Sequence, residues 1–464
     1  MEGCNVKRFF KQVMIAILAM ANSGDTVQQA TISQLGGSGS VINVRQIGAK
    51  GNGRDDDTPY IQKALDQAAG RGASVFFPKG TYVIDPARTL IIGSRTKLVG
   101  QGTDSIIKAS GKRFGWELMR VAGSDVEISN LSLDGNLQVN RVLVVGGGVQ
   151  RVTLTGVTAA NASQNRNPEE EGFSEVVAGI VVYGNTSQIK IDSSEVSNIY
   201  AINQSNGTMI ARGIYITTTW GSNEGAARQV TITNSHVHHI GPADDGDGIY
   251  YEDPAMDENN GQNTDSLISG NLLEYCAKRG MKIYAQGVKV SGNHIVNSYL
   301  NNNYYQGVNR GELAPDMFSA ISVYGSNNII SSNVIDGIGS FYAAIEVSAT
   351  ETVRNTVIYG NKIVMGSSST IKGTTAIRLG NIYNFTIKNN TMENGERGIW
   401  TWQNADFGVI KDNTIIMKNG GGIDLSTYLD GYTQINLALR GNIIEASTFN
   451  IQLASTNRNV TVRT

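Results

Sequence analysis

The chain repeats a short phrase: a small residue, an Ile or similar, one variable residue, then another apolar or flat residue. Copies read Gly179-Ile180-Val181-Val182, Gly213-Ile214-Tyr215-Ile216, Gly248-Ile249-Tyr250-Tyr251, Gly280-Met281-Lys282-Ile283, Ala320-Ile321-Ser322-Val323, Ala344-Ile345-Glu346-Val347, Ala376-Ile377-Arg378-Leu379, Gly398-Ile399-Trp400-Thr401 and Gly422-Ile423-Asp424-Leu425, recurring every 22 to 40 residues. A second strand-like phrase ending in a turn lies between copies, as in Ser269-Gly270-Asn271-Leu272, Ser291-Gly292-Asn293-His294, Tyr359-Gly360-Asn361-Lys362 and Arg440-Gly441-Asn442-Ile443. Self-similarity of this size, carried by period-2 strands instead of helices, marks a repeat architecture. The fold expected is all-β: a parallel β-helix, a solenoid in which each repeat is one coil and like strands stack rung on rung.

Period 2 also assigns faces. With Ile249 and Tyr251 inside the coil, Tyr250 and Glu252 point out. Stacking then gives two outward columns. The first reads Val181, Tyr215, Tyr250, Lys282, Ser322, Glu346, Arg378, Trp400, Asp424, and the second Tyr183, Thr217, Glu252, Tyr284, Tyr324, Ser348, Gly380, Trp402, Ser426. Neighbours in a column are expected about 4.8 Å apart. This predicts an exposed wall of aromatic and charged side chains, suited to a long, hydroxyl-rich, anionic ligand.

Length and repeats together indicate one long domain behind an N-terminal extension. Charge is balanced at −2, with 17% charged residues, which argues against a nucleic acid held on a basic surface. Two cysteines, Cys4 and Cys276, make neither a disulfide framework nor a Cys-rich zinc site. No stretch reaches the roughly 18 apolar residues that a membrane span needs.

Residues 1–40 stand apart. Lys7-Arg8, the apolar run Val13–Ala21 and small residues at Ala19 and Ala21 suit a secretory signal peptide, whereas Lys11 and the shortness of the run suit an amphipathic helix docking the arm to a larger assembly. Both readings stay open. Gly36-Gly37-Ser38-Gly39-Ser40 reads as a flexible linker. Residues 41–110 hold the cap and first coils: Asp57 or Thr58 can cap a helix, Pro59 fits its first turn, and Ile61, Ala64, Leu65 and Ala68 share one face. A helix laid across the open end of a solenoid blocks its strand edges. Residues 111–464 form the body.

The segment from Gly48-Ala49-Lys50-Gly51-Asn52-Gly53 through Asp55-Asp56-Asp57-Thr58 and the Ile61–Ala69 helix to Val75-Phe76-Phe77-Pro78-Lys79-Gly80-Thr81-Tyr82 resembles the N-terminal signature of the pectate-lyase-like right-handed β-helix superfamily. That resemblance implies a right-handed coil and an extracellular protein acting on polysaccharide. The superfamily includes secreted lyases, galacturonase-type hydrolases and epimerases, as well as phage tailspikes that degrade capsule. It also implies, for a chain with this arm and linker, virion attachment through residues 1–40 and a side-by-side homotrimer. One fold hosts several chemistries, so the reaction must be argued from the site.

The richest copy lies in Asp244–Tyr284. Column geometry sets Asp247 beside Arg279, Tyr250 beside Lys282 and Glu252 beside Tyr284, with Lys282 and Glu252 diagonal, roughly 8 Å between backbones. A uronate lyase needs a cation for the sugar carboxylate and a base for the adjacent carbon-bound proton; Arg279 or Lys282 can supply the first, Tyr284 or Lys282 the second. A hydrolase needs two carboxyls about 5 to 9.5 Å apart, which Glu252 with Asp253, or Asp247 with Asp244 or Asp245, can supply. Glu346 is expected to pair with Arg378 on the next rung. Tyr215, Tyr250, Tyr324, Glu346, Arg378, Trp400, Trp402 and Trp220 are the candidate sugar-binding residues.

Insertions at 161–175, 217–228 and 253–266 are expected to wall a groove, with a polar fourth at Asn301–Gly311. The third carries Asp253, Asp257, Glu258 and Asp265, which suits Ca²⁺ in charge but lacks the regular spacing of a dedicated loop. His236, His238 and His239 complete no metal motif, so a turn or core role is expected, and the Asn of the second phrase reads as a turn ladder. A polysaccharide depolymerase, hydrolase or lyase, is the leading reading. A glycan-binding adhesin or structural β-helix without catalysis, and a uronan epimerase, are its rivals.

Overall fold

The computed structural model describes residues 40–202, 209–241, 243, 245–258, 261–297, 318–337, 341–347, 351–366, 374–427 and 430–463. Residues 1–39, the insertion at 301–311, Asp244 and the side chains of Asp257 and Glu258 lie outside them. The described residues form a right-handed parallel β-helix of two sheets, one of 13 strands and one of 28, every pairing parallel. Each full coil sends one strand to the smaller sheet and up to three to the larger.

The repeated phrases are consecutive strands of the smaller sheet: β1 (Val177–Val182), β2 (Ile210–Ile216), β3 (Asp245–Glu252), β4 (Arg279–Tyr284), β5 (Ser319–Val323), β6 (Ala343–Val347), β7 (Thr375–Leu379), β8 (Arg397–Thr401) and β9 (Gly421–Leu425). Their register pairs Val181 with Tyr215, then Tyr250, Lys282, Ser322, Glu346, Arg378, Trp400 and Asp424 in unbroken succession. This is the first column read from the sequence, rung for rung.

The small first residue of the phrase has a steric cause. A Cβ on Gly248 would lie 2.7 Å from the Gly280 carbonyl oxygen and 2.8 Å from the Cys276 sulfur, so the position faces inward against the next coil. Ile249, which follows, is also in the core. Two successive inward residues break the alternation and return Asp247 and Tyr250, three positions apart, to the same outer face. The site depends on that break.

A short helical turn, α1 (Val44–Ile47), precedes α2 (Thr58–Ala68), which buries Ile61, Ala64, Leu65 and Ala68 against the first coil. Pro59 sits in its first turn. Asp57 occupies the N-cap but makes no side-chain cap; its carboxylate accepts instead from the Lys50 and Gly51 N–H groups, at 2.6 and 3.0 Å, tying the glycine-rich loop to the helix. Among the described residues no helix is long and apolar enough to cross a membrane.

Corners of the coil need left-handed backbone. One corner stacks Asn161, Asn198, His239 and Tyr275, with φ of 65°, 58°, 54° and 51°. Inside another corner runs a buried ladder: Asn271, Asn293, Asn333, Asn361, Asn390, Asn413 and Asn442 each present Oδ1 to both the backbone N–H and the Nδ2 of the asparagine one coil earlier, or, for Asn271, to the Ser235 N–H. The second phrase is therefore structural, as its spacing suggested. Asn333→Ala should remove four such bonds and strand buried groups on both neighbours, lowering stability by about 3 kcal/mol in urea denaturation, whereas Asn384→Gly on the exposed ladder should stay within about 0.5 kcal/mol.

Candidate functional site

On the outer side of β3–β9 the column is not a solvated wall. Tyr250 is 6% exposed, and Glu346, Arg378, Trp400, Ser322 and Asp424 are buried as well. Their polar groups are used within the protein. Glu346 accepts from Arg378 at 3.1 Å, the rung-to-rung pair expected, and burial raises its carboxyl above the usual range against the Arg378 charge. Trp400 donates its Nε1 to the Ser426 carbonyl at 2.8 Å, while the Arg378 guanidinium lies 4.2 Å from the Trp402 ring. Glu346, Arg378 and Trp400 thus correct the expectation of an open sugar platform: their faces are spent on neighbours. Trp402 keeps a partly exposed ring.

Asp247 and Arg279 are likewise internal. Asp247 is 0% exposed, 3.1 Å from Arg212 Nη1 and 3.2 Å from Arg279 Nη1. Asp245 accepts from Arg212 at 2.7 Å and Arg279 at 2.8 Å, with Lys278 at 3.1 Å, and these cations hold its carboxyl well below the usual range despite burial. Three cations face two carboxylates, leaving the cluster one positive charge in excess. Asp245 is therefore not placed as the protonated acid of a hydrolase, and Asp247 is sealed from solvent. Asp253 is 2% exposed and accepts from the Ala255 N–H at 3.1 Å, closing the turn Pro254–Glu258, so the pairing of Glu252 with Asp253 is not formed. Asp265 belongs to a strand, Asn263–Ser269, and not to the insertion.

What converges is Glu252, Lys282 and the tyrosines. Glu252 accepts from three hydroxyls: Tyr215 at 2.7 Å, Thr217 at 2.5 Å and Tyr250 at 2.9 Å. Among the described residues no cation lies within 4.0 Å of it. The Tyr215 and Tyr250 rings stack at 5.4 Å. Burial, reinforced by the Glu252 charge, pushes both phenols well above the ordinary tyrosine range, so both remain neutral donors. Lys282 Nζ sits 4.4 Å from the Tyr250 ring centre and 5.6 Å from that of Tyr324, with no carboxylate within 4.0 Å among the described residues. Burial lowers its pKa, with the Asp247 charge opposing the shift and the Arg279 charge adding to it. Tyr284 stands opposite Glu252 in register, its ring 5.7 Å from that of Tyr324.

The loop after β2 walls one side. Arg141, Tyr183, Tyr215, Thr217, Trp220 and Glu252 line a cleft of about 410 Å³, and Trp220 is 98% exposed at its rim. Arg141 was not legible as a site residue, because its strand, Val139–Val145, lacks the repeated phrase. Arg212, three residues before Tyr215, carried a usable signal: it is the register neighbour of Asp247.

The histidines lie on the outer surface instead of in the core. His236 meets Glu274 at 3.0 Å and His238 meets Glu195 at 3.3 Å, while His239 takes the corner. Among the described residues no group of three or more His, Cys, Asp or Glu is placed to hold a metal ion.

Residues 41–121 match the family model described as rhamnogalacturonase A/epimerase, pectate lyase-like. Over 111 residues the chain is 40% identical to alginate lyase 7 of Azotobacter vinelandii, covering 20% of this chain and 12% of that protein. The chain spans about a tenth of the length of the curated relatives it matches. Among solved structures, PfbA, a surface adhesin of Streptococcus pneumoniae, superposes with a TM-score of 0.56 at 17% identity, covering 91% of this chain and 93% of the adhesin. The pre-mature gene product 12 of bacteriophage phi29 gives 0.53 at 15% identity, covering 95% and 58%. At these identities the superpositions establish fold alone. The matched N-terminal stretch is thus similar to the pectate-lyase-like family, and the coil shared along nearly the whole chain is the right-handed parallel β-helix fold.

Proposed function

We propose that this protein cleaves a uronate-containing extracellular polysaccharide by β-elimination on the outer face of β2–β4, where Lys282 lies on the strand next to the cleft residue Glu252. The observation that carries this reading is Lys282: an amine depressed by burial, free of carboxylate partners among the described residues, against the ring of a tyrosine whose hydroxyl is neutral. Elimination needs a base for the proton next to the sugar carboxylate and an acid for the departing oxygen. The neutral Lys282 amine takes the carbon-bound proton, the Tyr250 hydroxyl gives its own to the leaving oxygen, and the new ammonium offsets the phenolate beside it. Proton transfer from Lys282 to Tyr250 then resets both. Glu252 positions the Tyr215 and Tyr250 hydroxyls. The excess positive charge of the Arg212, Arg279 and Lys278 cluster stabilises the enolate that forms.

Hydrolysis fits less well. It requires one protonated carboxyl facing the bond, yet Glu252 is held by three donors and Asp245 is held ionised by cations. The proposal extends to setting: an extracellular protein, secreted or carried on a virion tail through residues 1–40, with three chains side by side. The sequence of arm, Gly-Ser linker and capping helix supports that layout.

Incubation with polyuronates tests the reaction. Elimination produces the ultraviolet absorbance of an unsaturated uronate; new reducing ends without it mean hydrolysis, solvent deuterium at the ring carbon without scission means epimerisation, and binding alone means an adhesin. Lys282→Ala and Tyr250→Phe should each lower turnover by about 100-fold or more while the far-ultraviolet circular dichroism is unchanged; full turnover in both would remove the assignment.

The pH profile gives a second check. The base is competent only when neutral, so kcat/KM should rise with pH and level off below the ordinary lysine value of 10.5, since burial lowers the Lys282 pKa. Lys282→Arg, which stays protonated, should abolish the rising limb.

A further inference from the structure

The larger sheet carries a charge pattern that the cleft does not use. Its strands Val357–Tyr359, Ile382–Lys388, Ala405–Lys411, Gln434–Arg440 and Arg458–Arg463 stack in parallel, and their register places Tyr359, Lys388, Lys411, Arg440 and Arg463 in one outward column along the helix axis. Earlier coils fill the same column with Ser269, Ser291 and Ser331. Four cations follow one another at the strand spacing of about 4.8 Å.

Like charges directly opposite on neighbouring strands repel. Among the described residues a single carboxylate lies within 4.0 Å of any of the four, Asp412 at 3.5 Å from Lys411. The fold solves the same problem differently elsewhere: Lys97 faces Glu127 at 3.0 Å and Lys108 faces Asp134 at 2.9 Å, each an ion pair between register partners. A local rule kept at one end of the solenoid and broken at three successive pairs at the other points to a ligand.

The neighbouring column adds a second, independent irregularity. It holds asparagines in left-handed backbone, Asn355, Asn384, Asn436 and Asn459, except at Phe407, which adopts φ 52° and is 52% exposed. A bulky aromatic in that region is strained where asparagine is not. The Phe407 ring lies 5.3 Å from Tyr383, whose other neighbour is the Arg354 guanidinium at 4.8 Å. Between the aromatic and basic columns run only Thr386, Val409, Ala438 and Thr461, a flat floor of small side chains.

We propose that this face is a second, non-catalytic binding site for an anionic polysaccharide, laid along the helix axis with its carboxylates on Lys388, Lys411, Arg440 and Arg463 and sugar rings against Phe407 and Tyr383. Charge complementarity selects the anion, and the aromatic pair selects a sugar chain over a polyphosphate. The overall charge of −2 supplies no long-range attraction for nucleic acid. The site lies on the other sheet from the cleft, so it does not require that elimination occur there.

Equilibrium binding of the full chain to polygalacturonate, dextran and single-stranded DNA, at low and moderate salt, tests this. Polygalacturonate should occupy two classes of site. Replacing Lys388, Lys411, Arg440 and Arg463 by Gln should abolish one class and its salt dependence while Trp220→Ala weakens only the other, and dextran should not bind the basic face. Phe407→Asn should weaken the same class several-fold and raise the melting temperature, because it restores the residue that the backbone favours. The proposal falls if the four-Gln variant binds polygalacturonate as the wild type does, or if DNA occupies the basic face more tightly than polygalacturonate. It also falls if the face proves to be a contact between copies, seen as wild-type self-association lost in the variant without any change in polygalacturonate binding.

Discussion

Each asparagine of the ladder from Asn293 to Asn442 serves two coils at once, donating Nδ2 to a carbonyl of the coil before it and accepting at Oδ1 from the N–H groups of the preceding asparagine. A corner that buries its backbone must find partners for every polar group. Here the partners come from the same position one coil away, so the hydrogen bonds are complete only when the coils are in register. A slip by one residue would leave the amides of a whole corner unpaired in the core. Register is what turns residues such as Tyr215, Tyr250 and Lys282, far apart in sequence, into neighbours on three successive rungs.

The inward glycine of the phrase has an equally direct consequence. With strict alternation, Asp247 and Tyr250 would lie on opposite faces of β3. Gly248 packs its backbone against the Gly280 carbonyl and lets two successive positions face the core, so Arg212, Asp247 and Arg279 form a second outer column beside the tyrosines. That column is a charged layer under the aromatic one: Arg212 lies 4.8 Å from the Tyr250 ring centre and Lys282 4.4 Å. The electron-rich ring lies between the Arg212 guanidinium, which it attracts, and the Lys282 amine.

The register was legible because it needs only a repeated phrase and a period of 2. The cap was legible because Pro59 and the spacing of Ile61, Ala64, Leu65 and Ala68 leave few alternatives. Burial was not legible. A strand residue that faces outward need not be exposed: Glu346 and Trp400 face outward and are buried, with the long side chains of Arg378 and Arg397 against them. The fate of Asp253 was hidden for a related reason: nothing in Glu252-Asp253-Pro254 tells which carboxyl turns back to accept from Ala255 and which joins the tyrosines. The basic column is not legible in the sequence because its four members lie outside the Gly-Ile phrase and 23 to 29 residues apart.

Rigid stacking also explains how one face can hold an acidic side chain and a depressed amine a rung apart. In a flexible loop Lys282 and Glu252 would collapse into an ion pair, restoring the amine to its ordinary range. Here Glu252 is already engaged by three hydroxyls, and Lys282 is held between two rings on the next strand, with Asp247 and Asp245 occupied by arginines. Each carboxylate thus has a partner other than the lysine. Burial then acts on Lys282 without the compensation it would otherwise find, and the strands that fix its position keep that compensation out of reach.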